Sequence, residues 1–245
     1  MSGQMVYKRI LIKLSGEALA KDASGSILNN EFVRKIGQTI KTCVESGVEV
    51  AVIVGGGNIW RGTMGVGMDR TRADHMGMLA TTINALALQD AFEKEGVDTR
   101  VMTAIAMHEF AEPYIRNRAV HHLAEGRVVI FGCGIGNPFF STDTAAVMRA
   151  AEINADIVML AKNVPAIYND DPKKNPNAVK LDEVNYSYII SHELKAIDLT
   201  ATTFSKDNHI PLLVFGLSDP DNILRALRGE KIGTIVHDCE MNGTV

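Results

Sequence analysis

Six short runs of nearly unbroken apolar residues recur along the chain, at 7–13, 49–54, 99–104, 127–132, 156–161 and 212–216, with a weaker seventh at 234–237. A strand that is apolar on both sides, rather than alternating, has to be covered on both faces, which is the habit of parallel sheets. The intervening segments carry helical spacing. Segment 31–46 sets Phe32, Ile36, Ile40 and Val44 on one face, and 73–95 does the same with Met76, Leu79, Ile83 and Leu86 before ending at Gly96. A third helix is predicted over 142–153, after the capping residues Ser141, Thr142 and Asp143. A fourth is predicted over 218–229, opening on Ser218-Asp219-Pro220 and closing at Gly229. Strand and helix in alternation predict an α/β fold, a single doubly wound, mostly parallel sheet with helices on both faces. With no internal repeat or linker, residues 1–245 read as one domain, and Pro172 to Asn177 as a surface loop.

Composition narrows the function by exclusion. A length of 245 residues with 46% hydrophobic and 22% charged content is that of a soluble globular protein with a sizeable core. A formal net charge of −4 gives no electrostatic footprint for nucleic acid. No run approaches eighteen apolar residues, so no membrane span is expected. Cys43, Cys133 and Cys239 lack C-x-x-C pairing and fit neither a disulfide framework nor a zinc site, and the stretch Met1 to Arg9 has no apolar signal region. Reduced thiols and a cytoplasmic location are the expectation.

In an open parallel sheet, ligands gather outside the carboxyl ends of the strands. The glycine-rich and polar strings fall there: Lys13 to Glu17, Gly55 to Arg61, Gly132 to Thr142, and Lys162 to Asp171. Four loops on one edge make a groove that suits two ligands better than one. Lys13-Leu14-Ser15-Gly16-Glu17 sets an ammonium at a strand end, able to stabilise charge on transferring phosphoryl oxygens, or else a surface lysine before an ordinary turn. Gly55-Gly56-Gly57-Asn58 forfeits roughly 0.5–1 kcal/mol of backbone entropy per glycine, a cost tolerated where backbone must closely approach something. Neither a G-x-x-x-x-G-K-[ST] string nor a G-x-G-x-x-G dinucleotide fingerprint is present, and Arg61 follows as a guanidinium suited to phosphate. Asp74 reads either as a charge complementing the start of the following helix or as an acceptor for sugar hydroxyls. Residues 132–143, Gly-Cys-Gly-Ile-Gly-Asn-Pro-Phe-Phe-Ser-Thr-Asp, combine close-approach glycines, two aromatic walls and a helix start, an assortment that suits a planar base joined to a phosphate. Tyr168 is placed to stack on a second base and Asp171 to bind its ribose or edge, although acids beside Pro172 equally describe an exposed turn. Asp198 is either a helix cap or a partner for Lys13.

Five strings taken together resemble the bacterial uridylate kinase branch of the amino-acid kinase superfamily. They are KLSGEAL at 13–19, GGGNIWRG at 55–62, DHMGMLAT at 74–81, GNPFFSTD at 136–143 and YNDDP at 168–172. The resemblance runs from about Tyr7 to His237 and implies transfer of the γ-phosphoryl group of MgATP to UMP, giving UDP and ADP, in pyrimidine nucleotide synthesis. It implies a catalytic set of Lys13, Arg61, Asp143 and Asp198, the last organising the lysine. ATP would meet Lys13, Leu14, Ser15, Gly16, Gly57 and Arg61 at its phosphates, and Lys162 or Asn163, Tyr168 and Asp171 at its adenosine. UMP would meet Gly56, Asp74, Ile135, Gly136, Asn137, Pro138, Phe139, Phe140, Ser141 and Thr142. The acceptor half would then lie in about 7–150 and the ATP half in about 151–239. Magnesium is implied as a companion of ATP, with no direct side-chain ligand, and a homohexamer, GTP activation and UTP inhibition belong to the same pattern. Segment Lys21 to Ser26, which corresponds to the region linked with GTP, keeps only Gly25 of that region's glycines. Val164-Pro165-Ala166-Ile167-Tyr168 stands where many relatives have Val-Asp-Gly-Val-[Tyr/Phe]. Kinases of the superfamily that act on a carboxylate or carbamate, and a non-catalytic nucleotide binder, are the alternatives. The aromatic GNPFFSTD loop argues against the first and the intact Lys13, Arg61 and Asp198 against the second.

Overall fold

The computed structural model describes residues 5–20, 26–61, 67–172 and 174–239. Residues 21–25 of the segment matched to GTP control, and Gly62 of the triple-glycine string, lie outside them. In chain order the elements begin with β1 (Arg9–Leu14), α1 (Gly16–Leu19), α2 (Asn30–Glu45), β2 (Glu49–Val54), α3 (Arg70–Lys94), β3 (Thr99–Thr103), β4 (Glu112–Pro113) and α4 (Arg116–Ala124). They continue with β5 (Val128–Gly132), α5 (Thr142–Ile153), β6 (Ile157–Lys162), β7 (Ile167–Tyr168), β8 (Lys180–Leu181), β9 (Glu183–Val184) and α6 (Tyr186–Ser191). The last are α7 (Leu199–Asp207), β10 (Leu212–Gly216), α8 (Asn222–Leu227) and β11 (Thr234–Val236).

Among the described residues, nine strands form one sheet in the order β4-β3-β5-β2-β1-β6-β10-β11-β9, with β7 and β8 paired separately. Every neighbour in the large sheet is parallel except β10 with β11. The α/β doubly wound expectation therefore holds. Both faces of the strands are used. Ile10, Ile12 and Leu14 point into a core shared with Ile36, Ile40, Leu88, Phe92, Ile223 and Leu227. Leu11 and Ile53 point the other way, against Leu123, Ala146, Ile153, Ile189 and Ala201. So α2, α3 and α8 cover one face, and α4 to α7 the other. The chain builds outward from β1 through β2, then crosses to β6 on the far side, so the switch point of the sheet lies between β1 and β6.

Helix starts obey their caps. Asn29, Asp69, Ser141, Asn185 and Asp198 each accept a backbone N–H three residues on with the side chain. The helix expected at 218 begins only at Asn222, because Asp219 turns back to accept the Asp221 N–H at 3.1 Å. The largest departure is α3. The stripe read for it lies mostly outward: Met76, Leu79 and Ile83 are 38%, 52% and 51% exposed, while Leu86 packs half-buried against the core. The buried side instead carries Ala73, Met78, Ala80, Thr81, Thr82, Asn84, Ala85, Leu88 and Phe92. Apolar and polar residues are spread around this helix with no bias to one side, so periodicity could not choose a face. Close packing chose the small one: Thr82 Oγ1 lies 3.2 Å from Cys133 Sγ, and Thr81 Oγ1 accepts the Cys133 N–H at 2.9 Å. No described helix is long and apolar enough to cross a membrane.

Candidate active site

The carboxyl ends of β1 and β6, adjacent in the sheet, carry Lys13 and Lys162. Between them stands Asp143, the second residue of α5, 3.1 Å from the Lys13 ammonium and 2.5 Å from that of Lys162. Lys162 also donates to the Ala196 carbonyl at 2.5 Å. Burial opposes charge on Asp143, but Lys13 and Lys162 outweigh it and hold the carboxyl below the usual carboxylate range. Burial and the neighbouring Lys13 push Lys162 below the ordinary lysine value, although Asp143 pulls the other way. The result is two ammoniums fixed on one carboxylate, with side chains only 13% and 15% exposed.

Asp198 does not pair with Lys13; that position belongs to Asp143. Asp198 caps α7 through the Ala201 N–H at 2.8 Å. It also accepts from Ser141 Oγ, and from Thr144 Oγ1 at 3.1 Å. Both hydroxyls belong to the start of α5, so Asp198 ties together the N-termini of the two helices that approach the clamp. Those ends aim free N–H groups and partial positive charge at the same region.

Beyond Lys13, the glycines have two distinct reasons. A Cβ at Gly16 would lie 2.5 Å from the Gly55 carbonyl oxygen and 2.6 Å from Asn58 Oδ1, and one at Gly56 would meet Ala80 Cβ at 2.8 Å and the Gly77 carbonyl at 2.9 Å. These two glycines let chain approach chain. A Cβ at Gly57 would meet nothing nearer than Glu17 at 3.5 Å, so its outer side is open to a ligand. Arg61 beside it donates to the Gly57 carbonyl at 3.1 Å and pairs with Glu17 at 2.8 Å. Glu17 also accepts from Asn163 Nδ2 at 3.3 Å, linking the loops after β1, β2 and β6; it stood in the sequence string with no role assigned.

Asp74 lies inside α3, whose cap is Asp69, so the helix-start reading of Asp74 is replaced. Its carboxylate accepts from Arg70 Nε at 2.9 Å and from the Phe139 N–H at 2.8 Å. Arg70 in turn lies 5.5 Å from the centre of the Phe139 ring. Phe139 and Phe140 are 66% and 50% exposed, and Phe139 sits at φ +72, a left-handed value rarely held by a bulky residue. The loop also takes positive φ at Cys133, Gly134 and Gly136, so residues 132–141 follow a path that sequence periodicity does not describe. Ile135, Gly136, Asn137, Pro138, Ser141 and Thr142 follow β5 on the same strand-end rim as Gly55 to Gly57 after β2.

On the opposite side of the clamp a cavity of about 630 Å³ is lined by Lys13, Ser15, Lys162, Asn163, Tyr168 and Asp171. His192 to Ala196 complete its wall. Those five residues were not singled out in the sequence; they follow the short α6, and carry no glycine or motif. Their one local signal is Glu193 at φ +49. Lys162 lies at the end of this cavity that also carries Lys13, both ammoniums resting on Asp143.

A doubly wound sheet with paired ammoniums, two helix N-termini and a flanking cavity at its switch point defines an α/β protein suited to polyanions. The family model described as Amino acid kinase family matches residues 8–216, and the chain belongs to that family. Among solved structures it is similar to the UMP kinase of Bacillus anthracis, with 40% identity, a TM-score of 0.92, and coverage of 96% of this chain and 97% of that one. The UMP kinase of Ureaplasma parvum shares 36% identity at a TM-score of 0.89, over 96% and 100% of the two chains. The uridylate kinase of Archaeoglobus fulgidus shares 28% at 0.72, over 93% and 99%.

Proposed function

We propose that this protein transfers the γ-phosphoryl group of ATP to UMP, yielding UDP and ADP. The observation that carries the proposal is the Lys13–Asp143–Lys162 clamp, flanked by a cavity on one side and by the Asp74–Phe139 loop on the other. Likeness to the two bacterial UMP kinases over nearly the whole chain supports the choice of acceptor. ATP occupies the cavity between Tyr168, Asp171 and the 192–196 wall, with its phosphates toward Ser15, Gly16, Lys13 and Lys162. UMP lies against residues 135–142, its ribose at Asp74 and its phosphate near Gly56, while Gly57 and Arg61 adjoin the ATP phosphates.

Lys13, Lys162 and Arg61 together neutralise charge on the transferring group. A UMP phosphate is already a nucleophile near neutral pH, so no general base is required. Asp143 agrees with this: held ionised by two lysines, it is a weak base, and its task is to space the cations. Positioning then accounts for most of the rate, and transfer is direct and in line. Asp143, Asp198 and Glu17 are each engaged by lysine, hydroxyl or arginine partners, so the clamp offers magnesium no vacant carboxylate pair. Magnesium would be held by the triphosphate oxygens rather than by Asp143 or Asp198, and would supply charge neutralisation there.

The exposed stripe Met76, Leu79 and Ile83 is the surface by which copies of the chain associate, consistent with the homo-oligomer implied by the resemblance. Coupled ADP release with UMP, CMP, dUMP and acetylglutamate tests the reaction. UMP is expected to be the best acceptor. Turnover of acetylglutamate alone would assign the chain to carboxylate chemistry, and turnover of none would make it a binder.

A further inference from the structure

Far from the clamp, at the opposite end of the sheet from β4, β9 and β11 run parallel with Ile235 opposite Glu183 and Val236 opposite Val184. That register continues one residue further, where the His237 N–H donates to the Val184 carbonyl at 3.2 Å. His237 Nε2 thereby meets the Glu183 carboxylate. Two residues on, the Cys239 carbonyl is fixed by Asn185 Nδ2 at 2.9 Å. The outcome is that a carboxylate oxygen, an imidazole nitrogen and a thiol sulfur all lie within 4.8 Å of one another. Donors around a tetrahedral zinc ion are separated by about 3.5 Å, given bonds of roughly 2.0–2.3 Å, so small side-chain adjustments close the set.

We propose that Glu183, His237 and Cys239 form a binding site for a thiophilic divalent cation of the zinc class, distinct from the kinase centre. The reason is the mixture of donors. Magnesium and calcium demand oxygen ligands, whereas one thiolate, one imidazole and one carboxylate match zinc and leave a fourth position for water. Three different donor types brought together by two strands and a pinned loop are a narrower coincidence than a surface cluster of acids. Sequence spacing hid the site, because only His237 and Cys239 are near in the chain and Glu183 lies 54 residues before His237. On binding, Cys239 coordinates as thiolate and its proton passes to solvent. The bound ion fastens the residues that follow the last strand onto β9, at the sheet's edge.

Full-length reduced protein titrated with zinc by calorimetry, and with cobalt by absorbance, tests this. Cobalt is expected to give a near-ultraviolet thiolate charge-transfer band at a stoichiometry of one. Cys43 and Cys133 are buried, so a thiol reagent reports on Cys239, and zinc is expected to slow that reaction at least about tenfold. Cys239→Ser and His237→Gln should each weaken zinc binding by at least about tenfold, while magnesium at the same concentration neither binds there nor protects the thiol. Equal zinc affinity in either variant and the parent, absence of the cobalt–thiolate band, or no zinc binding at millimolar concentration would overturn the assignment.

Discussion

Replacing Asp143 by asparagine keeps the shape of the clamp and removes its only negative charge. Lys13 and Lys162 then face each other with no carboxylate within their present 3.1 and 2.5 Å. Breaking a buried ion pair costs about 3–5 kcal/mol. The low end, about 3 kcal/mol, applies because both ammoniums border a cavity that admits water. For a chain of this size that is a fall in Tm of about 6–12 °C, read by calorimetry at pH 7.5. The turnover number should drop by about 10²–10³, the range for loss of one preorganised electrostatic element, because the two cations spread apart. ATP affinity should hold or rise, since a triphosphate supplies the charge that the variant lacks, and the Tm deficit should narrow when ATP is added. The pH dependence has a definite sign. Asp143 is held below the usual carboxylate range, so its stabilisation is present at neutral pH and is lost as pH falls through its folded pKa. The Tm gap between parent and variant should therefore close under acid. Lys162, already depressed by burial and by Lys13, loses its offsetting carboxylate, so the alkaline limb of activity should move to lower pH in the variant. A Tm loss below about 2 °C, or an ATP affinity that falls in step with turnover, would refute the clamp.

Two further outcomes follow from the geometry. Asp74→Ala removes the acceptor of Arg70 and of the Phe139 N–H, so UMP affinity is expected to fall about tenfold or more with little change for ATP; calorimetric titration giving equal losses would place Asp74 elsewhere. Leu79→Glu puts a charge in the centre of the exposed α3 stripe without touching the core, and should shift sedimentation toward smaller species; an unaltered oligomer would exclude that face.

The strands were legible because each is apolar on both sides, a pattern that only burial explains, and their boundaries fell within two residues for β1, β2, β3, β5, β6, β10 and β11. The loops on the rim were legible because glycine and charge at strand ends are costly unless used. What was illegible has specific causes. Helix α4 buries only Ala119 and Leu123, too little apolar surface to produce a pattern. The face of α3 was misread because its inward side is built from alanine and threonine, residues that hydrophobicity scales rank low and close packing favours. Asp198 could be read as a cap or as the partner of Lys13 because both it and Asp143 lie at helix starts, and only the tertiary fold decides which one reaches Lys13. The wall at His192 to Ala196 had no motif to betray it, since a cavity lined in part by backbone leaves little trace in side-chain identity.

The two ammoniums hang from neighbouring strands at the middle of a nine-strand sheet, where ladder bonds on either side hold the backbones about 4.8 Å apart. The spacing of the strands that carry them is thus a property of main-chain architecture, and Asp143 sets the two side chains upon it. On the proposed function, recognition of each nucleotide falls to separate loops on the two flanks. A scaffold arranged this way can change what it phosphorylates while its reaction centre stays in tune.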